Sequence, residues 1–557
     1  MQEINRALVQ ALLTGSPLPT DQELAEKLEI SARTVRDMRL NLLGLERREL
    51  AHWRRSLPTT HAEQDERELI CSTPFAGLWL LIPLILASGL AEAAGQLRIL
   101  KRTSVQGVQV VLTLMAWAAL GLERLWHVND FRHWADLGLA LFTGSLCLWS
   151  DTTLWRWVHG MTPLSAAGFY QATAQREIAQ PDGRARYSLD DHVVPSFTQR
   201  RPSPLGKSRI PSRGRSYPAL RLFAAFDLDL GRFVALQVRQ ARQALSQVLL
   251  EALAELRHLR NLAQTPDPEQ VRLIFDRGGY KGSLFQALME EAQVSFVAMA
   301  RATQANVRQW ENLPEANFHP YQPPGVDNPN LKIGLAETHI YDCQVPLPSV
   351  VIRDDTPDTK QRWRVLFYKN LPNQPAEPAA LDAEYRQRQQ HEMGFRQYVH
   401  ALTGHALPKA YQMIRLPNAQ GQRRHTVATD ETSQSQQDVH LVAWIKFLTF
   451  NLIQDFGQAL GKKTAKLQTA TLMRRYLHRP GKLYLQADKL IVQLDPFCGH
   501  EDLETFIQDL NATGWHIPWL NGLILQVEVA RKPWGLMDNP KVLRHRILAN
   551  SSLANLL

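Results

Sequence analysis

Between Arg186 and Ala298 the chain changes hydrophobic period in a set order, and that order restricts the fold more than any other feature. Arg186–Val194 reads as a strand, with Tyr187, Leu189 and Val193 among its members. Ala219–Phe226 and Arg232–Val238 read as two more strands, joined across Asp229-Leu230-Gly231, a hairpin turn signal. Gln243–Leu259 carries apolar residues at helical spacing and reads as an amphipathic helix. Val271–Phe275 and Val294–Ala298 are short, mostly apolar strands, with a helix expected between them over Ser283–Ala292. Three strands with hairpin turns, then helix, strand, helix, strand, is the succession of an RNase H-like core, a mixed sheet with helices on its faces. In that topology the first and fourth strands are neighbours. Asp190 lies on the first and Asp276 at the end of the fourth, so two carboxylates are expected to meet.

A third carboxylate comes from Tyr385–Arg396, YRQRQQHEMGFR. On a helix, Tyr385, Arg388, Glu392 and Arg396 fall three or four residues apart and share one stripe. An aromatic, a cation, a lone carboxylate and a second cation make a poor core and a good grip for a polyanion beside a metal. The plain alternative is a solvated face with Glu–Arg pairs at helical spacing. Between the core strands and this helix, residues from Thr303 to Pro378 hold strand candidates at Ile333–Ile340, Ser349–Ile352 and Arg364–Tyr368, a β-rich insertion.

The flanks are helical and basic. Thr20-Asp21-Gln22-Glu23 is a capping box for a helix over Asp21–Leu28, and Ser31 caps a second helix reaching about Leu40. That second helix carries Arg33, Arg36 and Arg39 at a spacing of three, a helix-turn-helix pattern whose second helix enters a DNA groove. A further helical region runs from about Thr73 to Pro163. In it Asp136–Phe142 and Asp151–His159 form a similar pair, with Asp151 as a cap and Arg156 facing outward; packing of Trp149, Trp155 and Trp157 is the alternative. Arg200–Arg215 is basic and broken by Pro and Gly, so a flexible loop is expected, its cations suited to phosphates or simply solvated. After Asn451 come a basic helical stretch, Lys462–Arg479, a hairpin over Leu483–Leu494 turning at Ala487-Asp488, and a helix over Leu503–Leu510. The expected division is a helix-turn-helix module over 1–55, a second helical DNA-binding region over 56–165, the first part of the core over 166–302, the insertion over 303–378, the Glu-bearing and following helices over 379–455, and a C-terminal α/β extension over 456–557 for dimerisation or DNA-end contacts.

Composition narrows the partners. The formal net charge of +9 suits nucleic acid or another anionic surface. Cys71, Cys147, Cys343 and Cys498 are scattered with no C-x-x-C pair, which disfavours a zinc cluster or a disulfide framework and fits a reducing cytoplasm. The N-terminus lacks a basic region followed by a long apolar run, so no signal peptide is expected. Phe75–Ala94 approaches the length of a membrane span, but Pro83 interrupts it and Glu92 sits near its end, so a buried helix or helix pair and no membrane are expected.

The motifs LDDH at Leu189–His192, FDRGGY at Phe275–Tyr280 and Tyr385-x-x-Arg388-x-x-x-Glu392 resemble those of DDE transposases of bacterial insertion sequences, the type with a Tyr-Arg-Glu signature and a β-strand insertion in an RNase H-like core. The resemblance covers roughly Tyr187–Asn451. It implies Asp190, Asp276 and Glu392 as the catalytic residues and ligands of two Mg²⁺ ions, with Mn²⁺ as a substitute, and leaves open whether Asp190 or Asp191 is the first ligand. It implies Tyr385, Arg388 and Arg396 at the DNA, hydrolytic nicking at transposon ends to give a 3′-hydroxyl, then transesterification into target DNA by a homodimer assembled on DNA in the bacterial cytoplasm, at the nucleoid. The family's usual Lys seven residues beyond the Glu is Val399 here, which hands its phosphate contact to Arg396 or His400 or removes it. Some relatives use an aromatic of the insertion on a DNA hairpin; Trp310 and Trp363 lie in that region, and packing suits both. The rival expectations are a catalytically silent transposase-derived DNA-binding protein and an RNase H-like nuclease that cuts without joining.

Overall fold

The computed structural model describes most of the chain between residues 67 and 530, and before that only Gln22, Ala25, Glu26, Ser31, Ala32 and Val35. Within 67–530 the segments 100–104, 123–126, 128–135, 180–184, 196–205, 211–213, 265–270, 371–374, 408–413, 418–422 and 427–428 and residues 147, 292, 498 and 499 lie outside the description. The helix-turn-helix expected around Arg33, Arg36 and Arg39 falls outside the described residues.

The chain divides into two units, of which one comprises Ala166–His400 and Leu407–Asn451. It is mixed α/β, built on a ten-stranded sheet. The strands are β1 (Arg186–Pro195), β2 (Lys207–Ile210), β3 (Arg215–Asp227), β4 (Arg232–Gln240), β5 (Val271–Phe275), β6 (Val294–Met299), β7 (His319–Pro320), β8 (Leu331–Thr338), β9 (Leu347–Asp354) and β10 (Trp363–Lys369). They lie in the order β2-β3-β1-β5-β6-β10-β9-β8-β7, with β4 also paired to β3. β1 is antiparallel to β3 and parallel to β5, and β5 is parallel to β6. The central strands β5 and β6 are apolar along nearly their whole length because helices cover both faces. Helix α1 (Leu245–Leu262) buries Leu245, Val248, Leu249, Leu253, Leu256 and Leu259, one stripe at helical spacing. Helix α2 (Gly282–Glu290) connects β5 to β6. The opposite face is covered by α4 (Gln389–Ala401) and α5 (Thr429–Ala459): the Phe233 ring meets Phe395 at 5.4 Å and Phe447 at 4.1 Å.

The strands of the expected β-rich insertion pair with one another and with the core. β8, β9 and β10 pair antiparallel, and β10 joins β6, so the insertion widens the core sheet. Trp310 and Trp363 are both buried there, 6.3 Å apart, and Trp310 Nε1 donates to Thr338 Oγ1 at 3.1 Å. One expectation changes: part of the segment expected as a flexible loop is a strand, β2, paired with the start of β3, so its backbone groups are satisfied by a neighbour instead of by water alone.

The other unit comprises Met1–Ser165, Ala401–Ala406 and Leu452–Leu557. Its five-stranded sheet includes the hairpin Gly481–Gln486 and Lys489–Leu494, with Leu523–Val529 parallel to the second strand. Glu68–Thr73 is a strand paired to that hairpin. Phe75–Ala94 is broken into Ala76–Leu81, Ile82–Ala87 and the start of Leu90–Gly95, with Gly89 at φ 62° between the last two. Among the described residues no helix is long and apolar enough to cross a membrane. Asp136 caps Leu137–Phe142 through Leu139 N and also accepts from Thr73 Oγ1 at 2.8 Å. Ser150, not Asp151, caps Asp151–His159, because its hydroxyl accepts from Thr153 N while Asp151 already has helical backbone. Trp149 and Trp157 are buried and Arg156 is exposed.

Lys446, on α5, is buried, and burial pulls its ammonium down to about 7. Below that pH the folded state carries the buried charge. Between about 7 and the ordinary value of 10.5 it holds the amine neutral while the unfolded chain is still charged, so stability rises with pH across that window. Lys446→Met is expected to stabilise the protein by roughly 2–4 kcal/mol at pH 6 and by less at pH 9, read from thermal melts at the two pH values.

Candidate active site

The register of β1 and β5 fixes the first two carboxylates. Leu189 lies opposite Phe275, so the next residue on each parallel strand is an aspartate, Asp190 and Asp276. Asp276 leaves the sheet as a cap, its Oδ1 accepting from Gly278 N at 2.6 Å. The glycines after it are required by space: a Cβ on Gly278 would stand 2.8 Å from Asp276 Oδ1, and one on Gly279 2.5 Å from the Phe275 ring. Successive strand residues face opposite ways. Asp190 Oδ2 therefore accepts from Arg388 Nη1 at 2.9 Å on the side of α4, whereas Asp191 Oδ2 pairs with Arg221 at 3.2 Å.

The third carboxylate does not sit on one straight helix. Helix α3 (Pro378–Arg386) ends before Gln387-Arg388, and α4 begins at Gln389. The join is one tightened turn, with Arg388 N donating to Tyr385 O at 3.1 Å and His391 N to Arg388 O at 3.0 Å. Anchors on both sides explain the break. Glu384 pairs with Arg272 of β5 at 2.6 Å, Gln387 Oε1 accepts from Arg186 of β1 at 3.1 Å, and His391 Nδ1 shares a 3.0 Å hydrogen bond with Ser188 Oγ. The turn still brings the expected residues together. The Arg388 guanidinium bridges Asp190 and Glu392, and its carbon lies 5.8 Å from the Tyr385 ring. Tyr385 is buried, the Glu392 side chain is 52% exposed, and Arg396 and His400 are exposed along α4.

Burial drives the electrostatics. It raises the Asp190 carboxyl to about 7, with Arg388 pulling it down and Asp276 pushing it up. Burial also raises Asp191, with Arg221 opposing and Asp276 adding to the rise. Asp276 acts on Tyr385 and Arg388 as well, which places it in the same electrostatic cluster. Arg277 and Lys281 are exposed beside it, and Arg301 Nε donates to Arg277 O at 3.2 Å.

Several supporting residues were not singled out in the sequence. His391 is buried, stacked between Phe226 at 5.3 Å and Phe395 at 4.8 Å, and burial followed by the Arg388 charge holds it well below the usual histidine range. Asp382 is fully buried. It accepts from Arg386 at 2.7 Å and from Tyr321 OH at 2.7 Å, and pairs closely with Arg364 of β10. The available signals were faint: the i,i+4 spacing of Asp382 and Arg386, and Arg272 standing among apolar residues in β5.

No family model matches the chain, and no curated protein does. Among solved structures the chain is similar to a piggyBac transposase in a synaptic complex with hairpin DNA, at 11% identity and a TM-score of 0.36, over 74% of this chain and 82% of that one. A score that low does not establish a shared fold, so the chemistry below rests on the site itself.

Among the described residues, no three His, Cys, Asp or Glu side chains stand close enough together to hold a metal. Asp190 and Asp276 are adjacent hard-oxygen donors, and Glu392 is separated from Asp190 by the guanidinium that bridges them. The raised Asp190 carboxyl shows that one arginine does not offset burial and a neighbouring carboxylate. All three are hard-oxygen donors, but as placed they do not form a three-ligand metal group, and Arg388 occupies the position between the first and third carboxylates. The frame beneath is testable: Asp382→Asn leaves Arg364 and Arg386 facing a neutral group and is expected to cost roughly 3 kcal/mol in denaturant unfolding, as for one partner removed from a buried ion pair.

Proposed function

We propose that this protein is a DNA transposase with an RNase H-like core, cutting phosphodiester bonds at transposon ends and joining the 3′-hydroxyl to target DNA. The observation that carries the reading is the bridge Asp190–Arg388–Glu392 beside Asp276, four residues from strands and helix far apart in sequence. A purely structural ion pair needs no second aspartate at the adjacent strand end, and that aspartate worsens the electrostatics it would be there to relieve.

Asp190, Asp276 and Glu392 would hold Mg²⁺, or Mn²⁺ in its place, and Asp191 is spoken for by Arg221. When bound, a pair of such ions supplies an activated water or 3′-hydroxyl and stabilises the leaving oxygen. Arg388 then exchanges its carboxylate partners for a DNA phosphate, a bidentate match to its planar fork. The Tyr385 ring lies 5.8 Å from the guanidinium carbon, in the same cluster. Arg396, one turn beyond Glu392 and exposed, extends the cationic edge along the DNA. Pairing of two transposon ends calls for a homodimer on DNA, and a bacterial cytoplasmic, nucleoid-associated protein fits such a substrate.

Asp190→Ala, Asp276→Ala and Glu392→Ala are each expected to abolish Mg²⁺-dependent nicking while leaving DNA binding intact, measured on end-labelled duplex; full cleavage by any one variant removes that residue from the site. Strand-transfer products separate a transposase from a nuclease that only cuts, and binding without nicking by the unmodified protein would leave a silent DNA-binding protein. Because Arg388 and a cation compete for the same oxygens, Arg388→Gln is expected to tighten Mn²⁺ binding to the DNA-free protein by about tenfold in calorimetry, while slowing cleavage.

A further inference from the structure

We infer that the two-stranded ribbon formed by β2 and the start of β3 is a phosphate-binding arm for duplex DNA, aligned with the carboxylate site; the inference rests on the proposed function. The ribbon continues the ladder of the strand that carries Asp190. Pro195, the last residue of β1, lies opposite Ala219, and Lys207, the first of β2, lies opposite Pro218. Ala219 N also donates to Gly206 O at 3.2 Å, so the pairing runs on across the junction.

Register decides which way the cations face. Directly opposed residues of antiparallel strands share a face, and residues two apart share it along a strand. Asp190 lies opposite Ala224, and Lys207 and Arg209 lie opposite Pro218 and Ser216, all at even positions of β3. Neither pairing shows a register shift, so Lys207 and Arg209 stand on the face of the sheet that carries Asp190. Six and eight residues of β3 separate their levels from that of Asp190, roughly 20 and 26 Å at about 3.3 Å per residue. That is within one turn of a duplex lying along the strand. Arg215 is exposed at the ribbon's far end, and Arg242 lies across Gly206 at its foot, where a Cβ would come within 3.0 Å of Arg242 Cγ.

The charges are left available. Elsewhere in this unit some cations are paired, Arg239 with Glu251, Arg257 with Glu291, Lys332 with Glu315 and Asp355, while others such as Arg308, Lys360 and Arg396 are exposed and in no ion pair among the described residues. Among the described residues none of Lys207, Arg209, Arg215 and Arg242 is in an ion pair, and Lys207, Arg209, Arg215 and Arg242 are all exposed. Exposed cations are often merely solvated. A set without carboxylate partners, on a two-stranded ribbon, sharing a face with a carboxylate cluster, fits a duplex backbone better. A two-stranded ribbon is one of the elements a major groove admits.

The test is the double variant Lys207→Ala/Arg209→Ala of the full chain, with a mixed-sequence duplex of about 30 base pairs titrated at several salt concentrations. Affinity is expected to fall about tenfold or more, and the slope of log K against log salt to shrink by about 2, near 0.9 for each lost phosphate contact. Arg209→Lys in the unaltered background should keep the slope. An unchanged affinity and slope in the double variant overturns the inference, and so does a loss seen only on vesicles of anionic phospholipid. If the unmodified protein binds no duplex at all, the proposed function falls with it; if it binds and nicks, and the double variant does both with the same slope, only the ribbon's role is lost.

Discussion

Asp190 is buried beside a second carboxylate, Asp276, and depends on a nearby cation, which Arg388 supplies. Its guanidinium reaches Asp190 from one side and Glu392 from the other, over the ring of Tyr385. The compensation is incomplete: burial and the neighbouring Asp276 still hold the Asp190 carboxyl near neutrality, at about 7. The tightened turn at Gln387-Arg388 gives the arginine that reach, since it lets the guanidinium span from the strand end to the first turn of the next helix.

That turn is held by an ion pair and hydrogen bonds whose other members belong to the sheet. Arg272 and Arg186 project from the strand that leads into Asp276 and the strand that carries Asp190, and they grip Glu384 and Gln387. Arg364, from the insertion strand β10, grips Asp382 at the buried foot of α3. The insertion thus has a mechanical part in the site. By widening the sheet through β10 and β6, it brings a cation under the helix that presents Arg388 and Glu392. The buried histidine behind them, neutral and stacked on phenylalanines, fills the space between helix and sheet without adding charge to a crowded cluster.

Much of this was legible in the residues. The strand at Arg186–Val194, the hairpin across Asp229-Leu230-Gly231, the helix from about Gln243 and the apolar strands at Val271 and Val294 all declared themselves by period and turn chemistry. Less was legible where tertiary contacts overrode local signals. Arg200–Arg215 is polar and broken, yet β2 pairs there because β3 extends beyond the sheet and offers free backbone groups. Glu68–Thr73, which no sequence signal marked as a strand, is an edge strand of the other unit's sheet. Tyr385–Arg396 has a continuous helical pattern, and only the anchors to Arg272, Arg186 and Ser188 reveal why it breaks.

By itself the sequence determined which side chains are available and on which kind of element each stands, because period, turn residues and caps act over a few neighbours. It determined that Asp190 lies on one strand and that Asp276 follows the apolar run of another. Only the tertiary structure decided that Leu189 lies opposite Phe275, that Asp190 and not Asp191 faces Arg388, and that a single guanidinium spans the first and third carboxylates. Those outcomes depend on strand register and on an ion pair between Asp190 and Arg388, far apart in the sequence, and a one-residue slip of β1 would turn Asp190 to the opposite face.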